Sequence, residues 1–163
     1  MLASAHKLQK IGADFRRSAR TTRCTRRFRC VAPRSPLPWL HIAEVVAAQA
    51  TARGFQRAWA ARHALAGAER SLSRAHYARP TPPSARRLNR IIMDELVCGI
   101  FKPEALAFHQ RVISRMKDEG CDAVVLGCTE IPLLVDDSNS PLPTLDSTRL
   151  LARAALKKAL QQD

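Results

Sequence analysis

Lysine and acid are scarce in the first half of this chain, while arginine is abundant. Residues 1–90 hold 17 Arg but only 2 Lys and 3 acidic side chains, a formal charge of +16, and residues 91–163 hold 8 basic against 11 acidic side chains, a formal −3. The whole-chain value of +13 therefore belongs to one half, so it does not mark the protein as a nucleic-acid binder by itself. Long hydrophobic runs are also missing. Nothing approaches the ~18 apolar residues needed to span a bilayer, and no basic n-region, apolar h-region and cleavage site opens the chain. A soluble, cytoplasmic protein is expected. The five cysteines, Cys24, Cys30, Cys98, Cys121 and Cys128, form no C-x-x-C pair and no Cys/His spacing typical of zinc, so no metal site is expected. Their odd number, without an export signal, argues for reduced thiols.

The arginine-rich half is unusual in kind. A surface suited to nucleic acid mixes Lys with Arg and interleaves polar or aromatic groups. Here "RRSARTTRCTRRFRC" and "RAWAARHALAGAERSLSRAHYARPTPPSARR" set Arg among Ala, Pro and Ser. Such text could serve as a phosphate-binding arm with strong salt dependence. A transit peptide is also Arg-rich and acid-poor, yet these traits run to about residue 90, too far for a simple presequence. The third reading is that parts of the half are not evolved protein sequence. Cys24 and Cys30, with no core pattern around them, are read as incidental.

From about residue 86 the pattern is that of an α/β unit. "RRLNRIIMDELVCGIF" sets Leu88, Ile91, Ile92 and Leu96 at helical spacing, with Asp94 and Glu95 facing away and Gly99 ending the run. "KPEALAFHQRVISRMKDEGC" predicts a second helix: Pro103 suits the first turn, Leu106, Phe108, Val112, Ile113 and Met116 form a broad apolar stripe, and Gly120 is the stop. His109 reads as a packing histidine. "DAVVLGC" is a short continuous apolar run, the pattern of a strand covered on both faces of a parallel sheet. A short edge segment and a closing helix follow in "PLPTLDSTRLLARAALKKAL", capped by Ser147 or Asp146, with Lys157 and Lys158 opposing the helix dipole. This order is half of a doubly wound sheet, in which ligands bind beyond the carboxyl ends of strands.

Cys128 falls at such an end, in "CDAVVLGCTEIPLLV". Gly127 permits close backbone approach, and Thr129 offers a hydroxyl and an N–H beside the sulfur. If "TEIPLL" opens a helical turn, its free N–H groups would receive a carboxylate and depress the thiol pKa. Such a thiolate serves as nucleophile, metal ligand or general base. The competing reading is a small buried residue at the end of a strand.

Three segments in order and spacing, "IIMDELVCGIF", "GCTEIPLLV" and "LPTLDSTRLLARAAL", resemble the C-terminal part of the aspartate/glutamate racemase superfamily, nearest its aspartate or broad-specificity branch. The resemblance covers roughly residues 86–158, and "PLPWLHIAEVVAAQATARGFQR" is a weaker match to the segment after the first catalytic loop. It implies a cofactor-independent isomerase with two Rossmann-like domains, in which one cysteine from each domain moves a proton on opposite faces of the substrate α-carbon. It places Cys128 as the second catalytic cysteine and Thr129 beside the substrate carboxylate or amine, with Glu130 the aspartate-racemase form of a position that is usually His in glutamate racemases. The expected substrate is aspartate or a similar amino acid, and a homodimer is conceivable from full-length relatives.

The pattern also departs from that family. "MLASAHKL" keeps His6 and Lys7 without the Cys, Asn or Thr that precede them in the family, and neither Cys24 nor Cys30 lies in the motif. Between Arg57 and Arg86, where the family has a strand, the Arg/Ala/Pro text gives no strand signal. Family-like sequence on both sides is the pattern that compensating frameshifts in GC-rich DNA leave, and residues 9–35 look similar. The expected organisation is an irregular basic segment (1–35), a racemase-like helix segment (36–57), a disordered or frame-shifted segment (58–85) and a racemase-like α/β domain (86–163). The chain is thus read as a truncated remnant of a doubly wound parallel-sheet racemase domain with an irregular Arg-rich N-terminal half, its activity impaired by the missing cysteine. The alternative is a non-catalytic, Arg-rich nucleic-acid-binding protein on a remnant α/β domain.

Overall fold

The computed structural model describes residues 2–13, 16–18, 32–61 and 80–160. In chain order the elements are α1 (Leu2–Lys10), β1 (Arg16–Ser18), β2 (Trp39–His41), α2 (Ile42–Ala52), β3 (Ala58–Ala61), α3 (Pro82–Asp94), α4 (Pro103–Asp118), β4 (Ala123–Leu126), β5 (Thr144–Asp146) and α5 (Ser147–Leu160). β1 pairs in parallel with β2. β3, β4 and β5 form a second parallel sheet with β4 in the middle. Among the described residues no helix is long and apolar enough to cross a membrane.

β4 is buried along its whole length, as its unbroken apolar run requires of a strand with helices on both faces. Alternation along the strand sends successive side chains to opposite faces. Val124 and Leu126, with Trp59 and Ala61 of β3, pack against Leu88, Ile91 and Ile92 of α3 and Val112, Ile113 and Met116 of α4. Ala123 and Val125, with Ala58 and Leu145, meet Val46 of α2 and Leu150 of α5. The apolar stripes expected on α3 and α4 are the faces that cover the sheet. Each such residue, fully buried, contributes about 1.5–3 kcal/mol.

Both helix ends differ in detail from the sequence expectation. α3 starts at Pro82 and stops at Asp94, and a 3-10 turn, Leu96–Cys98, carries the chain to Gly99, which adopts a left-handed conformation at φ 74°. Glu95 is not turned away as Asp94 is: it pairs with Lys102 at 3.6 Å. Gly120 ends α4 with φ 88°, and a Cβ there would lie 3.2 Å from the Arg57 guanidinium, which itself donates to the Glu119 carbonyl.

The first 61 residues contain more structure than expected. α1 and β1 lie in the segment expected to be irregular. β3 occupies Ala58–Ala61, where no strand was expected, and pairs with β4 from Ala58↔Ala123 to Ala61↔Leu126. The Asp122 carboxylate fixes that register, accepting from the Gln56 amide at 2.5 Å and the Arg57 amide at 3.0 Å, while the Asp122 amide donates to the Arg57 carbonyl at 2.9 Å. Alanine has little strand preference of its own; burial between β4 and two helix layers makes this stretch a strand. The expected disordered or frame-shifted segment, 58–85, also ends in structure, since α3 begins at Pro82 within it; residues 62–79 lie outside the described residues, as do Cys24 and Cys30.

Among the described residues His41 and His109 are buried, and burial disfavours their charged forms. His41 caps α2, its Nδ1 accepting from the Ala43 amide at 3.2 Å, and burial lowers its pKa against the opposing pull of Glu44. His109, 1% exposed, packs as expected. Its Nδ1–H donates to the Ala105 carbonyl at 2.8 Å, and burial lowers its pKa against that bond.

Trp59 tests whether β3 belongs to the core, since its side chain is only 2% exposed. Trp59→Ala is expected to cost about 3–5 kcal/mol in denaturant unfolding, and a loss below about 0.5 kcal/mol, the range of surface substitutions, would show that the Arg-rich half does not pack on the sheet.

Candidate active site

The carboxyl end of β4 delivers Gly127 and Cys128 beyond the sheet. Its position is fixed from both neighbouring strands: the Gly127 amide donates to the carbonyl of Ala61 at the end of β3 (2.8 Å), and the Ser147 hydroxyl, just after β5, donates to the carbonyl of Leu126 (2.7 Å). Cys128 follows, half-buried and packed against the α3/α4 side of the core. The chain then turns into a 3-10 turn, Ile131–Leu133, with Ile131 and Val135 buried beneath it.

The Ile131 amide donates to Cys128 Sγ at 3.4 Å. This is the contact a helical turn after the cysteine was expected to make, but its effect on the thiol is outweighed. Burial, a hydrogen bond from the thiol to the Glu130 carboxylate and the charge of that carboxylate together push the Cys128 pKa up to about 11, with burial the largest cause and backbone donors opposing it. The expected depression of the thiol pKa is therefore reversed. A single short 3-10 turn offers few free amides, whereas the core removes water from the sulfur. At neutral pH Cys128 carries its proton.

Glu130 is the partner that linear spacing did not single out. Its carboxylate accepts from the Thr129 hydroxyl at 2.5 Å, and this bond is the main cause that holds its pKa below the ordinary value, with the bond from Cys128 adding to it. Thr129 O–H thus donates to a Glu130 carboxylate that lies beside the Cys128 sulfur. Thr129 itself is exposed. Acid two residues beyond a strand-end cysteine was the available signal, but its meaning depends on the turn that folds Glu130 back.

His6 and Lys7 are exposed on α1. Cys98 is exposed and Cys121 buried, and both are free thiols. A groove of about 580 Å³ between α2 and α5 does not include Cys128, and its acids are occupied within the fold: Asp137 accepts from the Thr144 amide and hydroxyl, and Asp146 pairs with Arg149 at 3.3 Å. Among the described residues no three His, Cys, Asp or Glu side chains group as metal ligands.

A parallel sheet with helices on both faces, carrying a cysteine just beyond the carboxyl end of its middle strand, is a Rossmann-like architecture. The Asp/Glu/hydantoin racemase family model matches residues 28–155, which includes the Arg-rich stretch after β3, and the chain belongs to that family. Its resemblance is thus to racemases, enzymes of the isomerase class. Solved structures agree. A protein from Yersinia pestis provisionally described as an Asp/Glu racemase is 26% identical, with a TM-score of 0.84, and the match covers 98% of this chain and 72% of that one. An aspartate racemase homologue from Pyrococcus horikoshii is 24% identical with a TM-score of 0.89 over 98% and 73% of the two chains. An aspartate racemase from Picrophilus torridus is 20% identical with a TM-score of 0.67 over 97% and 67%.

The raised pKa of Cys128 has a direct readout. In peptide-resolved iodoacetamide labelling at pH 8.5, Cys128 is expected to react at least about ten-fold more slowly than the exposed Cys98, because the thiolate is the reacting form. Equal rates would show that the Cys128 thiol is not held protonated.

Proposed function

We propose that the chain moves the α-proton of an acidic amino acid, aspartate or a close relative, with Cys128 as the acid/base group, Thr129 beside the substrate carboxylate or amine, and no bound cofactor. The observation that carries this reading is the Cys128 thiol beside the Glu130 carboxylate, just past the carboxyl end of β4, in a member of a racemase family. Delivery of the Cys128 proton to an α-carbanion leaves a thiolate, and the reverse transfer takes the α-proton back to sulfur. For the reverse step the thiolate must be favoured, and a substrate ammonium near the sulfur would do this by lowering the thiol pKa. The Glu130 carboxylate, ionised and anchored by Thr129, keeps the S–H directed until that charge arrives. Such chemistry needs a free thiol, which suits a reducing, cytoplasmic setting.

Inversion needs a donor on each face of the α-carbon, and this reading assigns one of them, Cys128. With Cys128 serving one face, exchange of the α-proton with retention outpaces racemisation. Incubation with each aspartate enantiomer in heavy water is expected to place deuterium at the α-carbon of one enantiomer, with little of its mirror image formed and none of this signal from Cys128→Ala. Uptake no greater than that of the Cys128→Ala protein would remove the reading.

A further inference from the structure

The peptide group between Leu126 and Gly127 is held at both ends. Its N–H donates to the Ala61 carbonyl on β3, and its C=O accepts from the buried Ser147 hydroxyl after β5. A trans peptide points these two groups in opposite directions, so two bonds from opposite neighbours fix the rotation of the plane as well as its position. The next residue but one after Leu126 is Cys128.

Ser147 is the first residue of α5 and is 3% exposed. At the start of a helix a serine ordinarily serves the helix by capping its free amides. Here Asp146 is the cap instead, since its Oδ1 accepts from the Thr148 and Arg149 amides, each at 3.0 Å. Ser147 is thereby released to donate across to β4. The pairing of β4 with β5 ends at Leu126↔Asp146, where the chain turns into α5. A side chain thus continues the fastening where the paired backbone stops.

We propose that Ser147 is a positioning residue for Cys128: its hydroxyl locks the Leu126–Gly127 peptide plane and so sets where the sulfur sits against the 3-10 turn and Glu130. The catalytic consequence rests on the proposed function, whereas the placement of the sulfur does not. Without the donor, the plane is held on the β3 side alone and the Gly127–Cys128 bend is free to rotate. The thiol then gains water, its proton is released more easily, and its contacts with Ile131 and Glu130 loosen.

The full chain is compared with Ser147→Ala, Ser147→Thr and Leu151→Ala. The last removes a buried side chain one turn further along α5 that makes no hydrogen bond to β4. Two quantities are read: the unfolding midpoint, and the iodoacetamide labelling rate of Cys128 relative to Cys98 in the same molecule at pH 8.5. Ser147→Ala is expected to raise the Cys128:Cys98 ratio by about ten-fold or more. Leu151→Ala is expected to lower the unfolding midpoint at least as much while moving the ratio less than about two-fold, a purely structural effect. Retention of the hydroxyl in Ser147→Thr returns the ratio to the wild-type value, and the two alanine variants decide the matter if the threonine chain does not fold. A ratio unchanged in Ser147→Ala, or raised equally in Leu151→Ala, overturns the proposal. If the wild type exchanges the α-proton of aspartate, Ser147→Ala is expected to slow exchange at saturating substrate by about 10- to 100-fold with KM little changed. If the wild type shows no exchange, the functional reading falls, and the labelling ratio still decides the role of Ser147.

Discussion

The site depends on the pairing of β4 with β3 on one side and β5 on the other. The outermost bond on the β3 side runs from the Gly127 amide to the Ala61 carbonyl at 2.8 Å. Beyond it the backbone is committed to a bend, and the first side chain past the bend is Cys128. The register that allows this bond is set at the opposite end of the strands, where Asp122 holds the Gln56 and Arg57 amides. Helices on both faces supply the burial that keeps so short a sheet together: α3 and α4 over Val124 and Leu126, α2 and α5 over Ala123 and Val125.

The electrostatic character of Cys128 follows from this placement. Its sulfur packs against the same cluster that buries Leu126, Ile131 and Val135, so the charged form is penalised by loss of water. Backbone donors, the Ile131 amide at 3.4 Å foremost, oppose that penalty without overcoming it. The Glu130 carboxylate acts in the same direction as burial, since an anion beside the sulfur disfavours a second one. The result is a thiol that holds its proton and a carboxylate that stays ionised, two adjacent groups whose pKa values are driven apart. Pairs of this kind divide acid and base roles between neighbouring side chains.

Much of this is legible in the sequence from residue 86 onward. The stripes of Leu88, Ile91 and Ile92 and of Val112, Ile113 and Met116 mark two helices, the apolar run of "AVVL" marks the central strand, and Cys128 stands out at its end. What escapes the sequence is governed by contacts distant along the chain. β3 is written mostly in alanine inside arginine-rich text, and the strand preference of Trp59 alone does not mark it; it becomes a strand because Asp122 and β4 receive it. Asp146 and Ser147 are equally good caps by residue type, and only the location of the Leu126 carbonyl decides that the aspartate caps and the serine does not. The thiol pKa runs opposite to expectation because spacing announces a turn and its amides but does not reveal how much of the core lies against the sulfur.

Binding of a small acidic amino acid at the carboxyl end of β4 underlies every functional step proposed for this chain. An amide-resolved NMR titration of the full chain with D- and L-aspartate tests it most directly. Saturable shifts concentrated at Gly127, Cys128, Thr129 and Glu130 are expected. Shifts confined to other surfaces, or none at these four amides at millimolar aspartate, would contradict it.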